Sequence, residues 1–291
     1  MFGLTSPEAV SGYTMTYCTG ILVDAGLVMI ADTRTNAGID NISIYKKLHI
    51  LADDDERMIF VATAGSLSVT QSMLAMLAEG LGTPDELGLP RLVSGCPTMF
   101  RVAQLVGDAV VAARRTVETT LEGTRITARA SLLLGGRIGD APLQLYLIYN
   151  EGNFIECHAD APFLQIGEYK YGKPILDRAL TRATSLDEAV KVGLISFDST
   201  LRSNLSVGLP LDLVAIPANR AQPPVRLRLA ADDAYFQSLS RDWARMLNEA
   251  RETIPDPPFM RAASALHRPN ATPILPTVEP RTVDPATPAL K

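Results

Sequence analysis

Cysteine and histidine are scarce in this sequence, and their scarcity removes several chemistries at once. Only three of the 291 residues are cysteine (Cys18, Cys96, Cys157) and three are histidine (His49, His158, His267). The cysteines are odd in number and far apart, without a CxxC pair, so neither a disulfide framework nor a zinc knuckle is indicated. The histidines have no HxxxH spacing, and the sequence predicts no metal site. A Ser-His-Asp triad needs only one histidine, but nothing around these three looks like one. Long apolar runs are missing too. None reaches the roughly 18–20 residues of a membrane helix, so no membrane partner is expected. Charge is modest, with 20% charged residues and a net charge of −5, which gives no electrostatic reason to expect nucleic acid. The opening MFGLTSPEAVSGYT lacks the basic start and apolar middle of a signal peptide, and the expected location is the cytoplasm.

What the chain does have is apolar residues, at 47%, in a length that suits one large domain or two small ones. Their spacing changes along the sequence. Residues 16–23 (TYCTGILV) and 27–31 (LVMIA) are β-prone runs around Asp24-Ala25-Gly26, which reads as a tight hairpin turn. A second pair, 45–51 and 57–63, flanks the acidic turn Asp53-Asp54-Asp55-Glu56. Helical periodicity follows over 66–81, opened by Ser66, and from Pro97 to about Leu121. In the latter, Met99, Val102, Val106, Val110 and Ala113 share one face. Strands are predicted at 128–135, 143–149, 153–158 and 163–167, with Asn150-Glu151-Gly152 as another turn. Helices come next near 173–182 and 185–201, then strands near 211–216 and 225–230. A last helix over 232–251 puts Phe236, Leu239, Trp243, Met246, Leu247 and Ala250 on its apolar side. Segregated hairpins and helix pairs predict an α+β chain of antiparallel sheets covered by helix layers, not a βαβ fold. From 253 to 291 the composition shifts: nine of the 20 prolines lie between Pro255 and Pro288, and a disordered tail is expected.

One reading of the start gives the chemistry. A threonine hydroxyl is a weak nucleophile until a base takes its proton. An α-amino group suits that task, because its pKa of about 7.7–8.0 lies near working pH. Only a chain-terminal threonine carries both groups. Thr16 follows Met15, and if the chain started there it would be such a residue. Lys46 and Lys47 are candidate cations beside it, and a buried lysine needs a carboxylate partner, which Asp32 can supply. The GEYKYGK run at 167–173 matches GxxxxGK, but Pro174 stands where a phosphate loop needs Ser or Thr. It reads instead as a strand-to-helix turn with proline near the first helical position. Strand alternation puts Cys18 on the same face as Thr16; with no histidine nearby, it reads as a small buried hydrophobe.

The run from Thr16, with Gly26 in the hairpin, ADTRTNAG at 31–38, KKL at 46–48 and TAGS at 63–66, resembles the start of a proteasome-type β-subunit. It is most similar to the bacterial proteasome homologue Anbu, the ancestral β-subunit, whose members begin with a similar Met-Thr-Tyr-Cys run. The resemblance extends from residue 16 to about 250. It implies a four-layer αββα sandwich of the N-terminal-nucleophile hydrolase type and a threonine-type peptidase with no cofactor and no metal. It also implies a homo-oligomeric ring or helical assembly acting on peptide or unfolded protein. Carried over residue by residue, Thr16 matches the nucleophile, Asp32 the buried acid, Lys47 the neighbouring lysine with Lys46 as the alternative, and Gly65 the oxyanion-hole glycine. Ser206 matches the supporting serine, and Thr35, Tyr45 and Thr63 match the specificity pocket. The chain departs from the pattern at two places: Ser203 stands at the supporting Asp position, and Glu168 replaces an earlier supporting serine. Glu168 or Asp198 is the expected substitute. An oligomeric scaffold with a vestigial site, and an amidase or transferase acting on a tagged peptide, are the alternatives. Residues 1–15 are expected to be a leader removed at Met15–Thr16 or, preferably, the result of a misplaced start, with translation beginning at Met15 and that Met removed ahead of Thr16.

Overall fold

The computed structural model describes residues 16–36, 42–82, 90–120 and 128–260. The expected leader at 1–15 lies outside them, and so does all of the proline-rich segment beyond 260. Contacts divide the chain into a large unit ending at Trp243 and a small one starting at Ala244.

The large unit is built on two five-stranded antiparallel sheets. The first contains β1 (Tyr17–Val23), β2 (Gly26–Asp32), β10 (Phe163–Gly167), β11 (Leu211–Pro217) and β12 (Val225–Leu229), in the order β10-β1-β2-β11-β12. The second contains β5 (Leu48–Asp53), β6 (Arg57–Gly65), β7 (Ala130–Ile138), β8 (Gln144–Ile148) and β9 (Phe154–Glu156), in chain order. A small separate hairpin pairs β3 (Arg34–Asn36) with β4 (Ile42–Ile44). Helices α1 (Leu67–Glu79) and α2 (Met99–Thr120) cover the second sheet, and α3 (Lys173–Ala179) and α4 (Leu186–Ser203) cover the first.

Alternation along the strands explains the layering. In β6, Ile59 and Val61 point into an apolar cluster with Met73, Val102 and Val106 of the helices, while Phe60, Ala62 and Ala64 point the other way. In β1, Tyr17, Ile21 and Val23 face Leu176, Val192 and Phe197 of α3 and α4, while Cys18 and Leu22 face the opposite sheet. Between the sheets lies a third apolar layer, with Met29, Phe60, Leu133, Leu145 and Ile166. Strands covered on both faces carry continuous apolar runs, and every residue of β1, β2 and β11 is buried. Helix–sheet–sheet–helix is the αββα sandwich that the resemblance implies.

Element types agree with the sequence reading, with local differences. The strand expected at 45–51 begins only at Leu48, and Lys46 and Lys47 sit in the segment leading into it. Residues 34–36 and 42–44 add a short strand pair that the sequence reading did not include. The turns are as predicted: Val23 pairs with Gly26 across Asp24-Ala25, and the Asp54 carboxylate accepts the N–H groups of Glu56 and Arg57. Residues 167–173 are a turn into α3, with Pro174 in its first turn. Helix α5 (Ala234–Thr253) buries Phe236 in its first turn. In the small unit, Met246 and Leu247 of its expected apolar side are exposed.

Candidate active site

Thr16 immediately precedes β1 and is buried. Its neighbour Tyr17 fixes the start of that strand on both faces. The Tyr17 ring packs against Phe197 of α4, with centroids 4.4 Å apart. Its hydroxyl is bonded to Ser196 Oγ at 3.1 Å and accepts from Gln165 Nε2 at 2.6 Å. Burial pushes this phenol up to about 12, so it stays neutral. With Tyr17 anchored toward the helices, alternation turns Thr16 toward the space between the sheets, the side on which Cys18 lies.

The last residue of β2, Asp32, has no exposed surface. Its Oδ1 accepts two hydrogen bonds, from the Tyr17 backbone N–H at 3.0 Å and from Lys47 Nζ at 2.8 Å. Its Oδ2 accepts the Gly208 N–H at 3.4 Å. Burial raises the Asp32 carboxyl, and the Lys47 ammonium and the two N–H donors oppose that rise. Lys47 is buried and also donates to the Arg34 carbonyl at 2.6 Å. Lys46 is exposed. Of the two lysines, the structure puts Lys47 with Asp32.

β6 completes this side. The Thr63 N–H and hydroxyl both donate to the Lys47 carbonyl, at 2.9 and 3.4 Å, and the Cys18 thiol donates to the Thr63 carbonyl at 3.7 Å. Thr63 is buried. Two residues further along, Gly65 ends the strand with φ +108°, directly before α1. A Cβ there would lie 2.2 Å from the Arg129 carbonyl oxygen, so no other residue fits without moving β7. The backbone of Gly65 thus borders the positive end of a 13-residue helix. Thr35 is half-buried on β3. Tyr45 is 40% exposed, with its N–H donated to the Thr33 carbonyl.

On the other edge of β1, Tyr17 lies opposite Gly167, and the Glu168 N–H donates to the Thr16 carbonyl at 2.7 Å. Gly167 takes φ +82°, and a Cβ on it would lie 1.9 Å from that same carbonyl oxygen. The buried Glu168 carboxylate accepts from Asn204 Nδ2 at 3.1 Å. The Asn204 carbonyl oxygen in turn takes the Ser206 N–H at 3.0 Å and the Ser206 hydroxyl in a short contact. Arg34 holds this loop by donating to the Leu205 carbonyl at 2.9 Å. The residue toward Glu168 is therefore Asn204, the C-cap of α4; Ser203 is exposed. Asp198, the other expected substitute, is paired with Arg202 at 3.1 Å instead. Asn204 and the N–H of Gly208 escaped the sequence reading. Only a helix ending at Ser203, with its C-cap identified, would have pointed to Asn204.

Cys18 has no exposed surface, and burial pushes its thiol far up, in keeping with a packing role. A cavity of about 620 Å³ lined by Pro90, Arg91, Cys96 and Arg101 shares no residue with this cluster. Among the described residues no helix is long and apolar enough to cross a membrane.

A β-sandwich closed by helices on both sides, with a lysine–aspartate pair buried at the start of its first strand, defines a proteasome-like member of the N-terminal-nucleophile hydrolase class. Comparison with solved structures narrows the class. Anbu from Hyphomicrobium sp. strain MC1 is 42% identical, with 83% of this chain and 99% of that one covered and a TM-score of 0.73. Anbu (ancestral beta-subunit) from Yersinia bercovieri is 38% identical with the same coverage and a TM-score of 0.73. A structure described as the helical assembly of the Anbu complex from Pseudomonas aeruginosa is 41% identical, covers 84% of this chain and 98% of its own, and has a TM-score of 0.76. No protein-family model matches the chain, and no curated protein matches it. The chain belongs to the Anbu family of proteasome-like β-subunits.

Proposed function

We propose that this protein is a threonine-type peptidase whose nucleophile is Thr16, exposed as the first residue of the mature chain once residues 1–15 are absent. The observation that carries this reading is the buried Lys47–Asp32 pair, anchored through one oxygen to the backbone N–H that follows Thr16. Such a pair costs desolvation free energy and is weak evidence of a stabilising role. In this reading the pair has another purpose: its ammonium is the cation that acidifies the threonine hydroxyl.

The Thr16 Oγ–H proton passes to the neutral α-amine on the same residue. The oxygen then bonds to the scissile carbonyl carbon, and the electron pair of the C=O moves onto its oxygen. The Gly65 N–H, at the positive end of α1, is the donor for that oxyanion; donors of this kind are worth roughly 2.7–4 kcal/mol of barrier. Collapse expels the leaving amine, which takes the proton back from the Thr16 ammonium. Water, deprotonated by the same amine, then cleaves the acyl ester. Asp32 holds Lys47 in place, and Thr35, Tyr45 and Thr63 border the substrate side chain. The substrate class is peptide or unfolded protein in the cytoplasm. One relative is described as a helical assembly, and a homo-oligomeric ring or helix is the corresponding proposal for this chain.

A second reading, a scaffold with a silent site, is motivated by the exposed Ser203 at the family's Asp position. One experiment separates the two. Protein with Thr16 verified as its first residue by intact mass is treated with a peptide epoxyketone. Labelling of the wild type and none of Thr16→Ala supports the peptidase. Equal labelling of both removes Thr16 from the mechanism, and no labelling of either favours the scaffold.

A further inference from the structure

The Thr16–Lys47–Asp32 side accounts for acidifying the hydroxyl. It leaves open what bears the positive charge that the α-amine acquires when it takes the hydroxyl proton. The opposite edge of β1 answers this. The antiparallel register ends with Tyr17 opposite Gly167, and just beyond it the Glu168 N–H donates to the Thr16 carbonyl at 2.7 Å, which sets Glu168 beside Thr16. The Glu168 side chain is buried and meets Asn204, in the loop whose Gly208 N–H reaches Asp32.

Resting on the reading of Thr16 as an N-terminal nucleophile, we propose that Glu168 is the carboxylate that bears on the Thr16 α-ammonium, with Asn204 and Ser206 as the positioning residues that hold it. The carboxylate is buried at 9% exposure, where a charge acts through a weaker dielectric than at the surface. Its partner Asn204 is neutral and leaves its charge uncancelled. Asn204 cannot swing away, because its carbonyl is held by both the N–H and the hydroxyl of Ser206. Arg34 ties the same loop to β3, and Gly208 ties it to Asp32. Asparagine at this place is a consequence of glutamate at the other. A second carboxylate there would repel Glu168, whereas an amide donates to it.

The other charged groups around the start of β1 do not duplicate this role. Asp32 and Lys47 are paired with each other, and Asp198 on α4 with Arg202. Arg34 is engaged with the Leu205 carbonyl. Beyond Glu168, Lys170 is exposed and Lys173 is paired with Asp177. Arg129 at the β7 end is exposed.

A negative group beside an amine favours its protonated form and raises its pKa. The test measures the α-amine pKa of the mature full-length protein by pH-dependent labelling with isotopic acetic anhydride, read by mass spectrometry at the Thr16 peptide. Wild type, Glu168→Gln and Glu168→Asp are compared, with folding of each checked by circular dichroism. Glu168→Gln is expected to lower the amine pKa by about one unit, and Glu168→Asp by less. The acid limb of epoxyketone labelling moves to lower pH with it, while the plateau falls because the base is weaker. An α-amine that titrates identically in wild type and Glu168→Gln overturns the proposal. Should Glu168→Gln fail to fold, an unshifted Glu168→Asp does the same. Loss of labelling in Thr16→Ala alongside an unshifted Glu168→Gln sinks this inference alone. An amine shift with no Thr16-dependent labelling sinks the peptidase reading alone.

Discussion

Replacing Lys47 by alanine tests the site and the fold together. Lys47 is 6% exposed and Asp32 is fully buried, and among the described residues their 2.8 Å contact gives the carboxylate its charged partner. Removing the ammonium leaves a carboxylate in the interior with only two N–H donors, and breaking a buried pair from one side costs about 3–5 kcal/mol. For a domain of this size each kcal/mol lowers Tm by roughly 2–4 °C, so a drop of roughly 6–20 °C is expected. Lys46→Ala, at an exposed position, should stay within about 0.5 kcal/mol of wild type. Urea or thermal unfolding followed by circular dichroism reads both. The pH dependence has a definite sign. Burial already raises the Asp32 carboxyl, and Lys47 opposes the rise; without Lys47 the folded-state pKa climbs further above the unfolded value. The folded variant then binds more protons than the unfolded chain, and it recovers stability relative to wild type as pH falls from 7 toward the unfolded value of about 4. A double variant, Lys47→Met with Asp32→Asn, should recover much of the loss, since it leaves no uncompensated charge. A Lys47→Ala protein as stable as Lys46→Ala, with no gain on acidification, would refute the reasoning.

Two further outcomes are expected. Gly167→Ala forces a side chain onto φ +82° and against the Thr16 carbonyl; a loss of at least roughly 1–3 kcal/mol should appear in urea unfolding, and a variant of unchanged stability would contradict the β1–β10 geometry. In the native protein at pH 8, iodoacetamide should modify the half-exposed Cys96 ahead of the other two cysteines. Cys18 is sealed with its thiol pushed far up, and the Cys157 thiol is raised to about 11. Early modification of Cys18, read by peptide mass mapping, would show that the layer between the sheets is open.

The sequence made the layers legible because the inner strands β1, β2 and β11 are covered on both faces and helices α1, α2 and α4 on one. Periodicity and turn chemistry therefore changed together at nearly every boundary, as at Asp24-Ala25-Gly26 and Asn150-Glu151-Gly152. Thr16, Asp32 and Lys47 could be singled out because they lie within 32 positions on consecutive segments. The choice between Lys46 and Lys47 rested on register, and register here depends on the β3–β4 hairpin, whose short strands carry no clear alternation. The other half of the site was harder to read. Which of Asp198, Ser203 and Asn204 turns toward Glu168 depends on the residue at which α4 ends in its cap, and one step of a helix turns a side chain by about 100°. Asp198 illustrates the point: it is buried, but its helical position gives it to Arg202 one turn later.

The strand order carries a consequence for how the molecule comes into being. β1 lies between β2 and β10, and β2 lies between β1 and β11. The chemistry is written near the beginning of the message, yet Glu168 and Gly208 must emerge before Asp32 and the start of β1 have their neighbours. Pairings this distant in sequence form late. A nascent or truncated polypeptide that stops short of β11 therefore holds a threonine and a lysine without a cleft between them. The strand order thus makes completion of this corner wait on late segments of the chain.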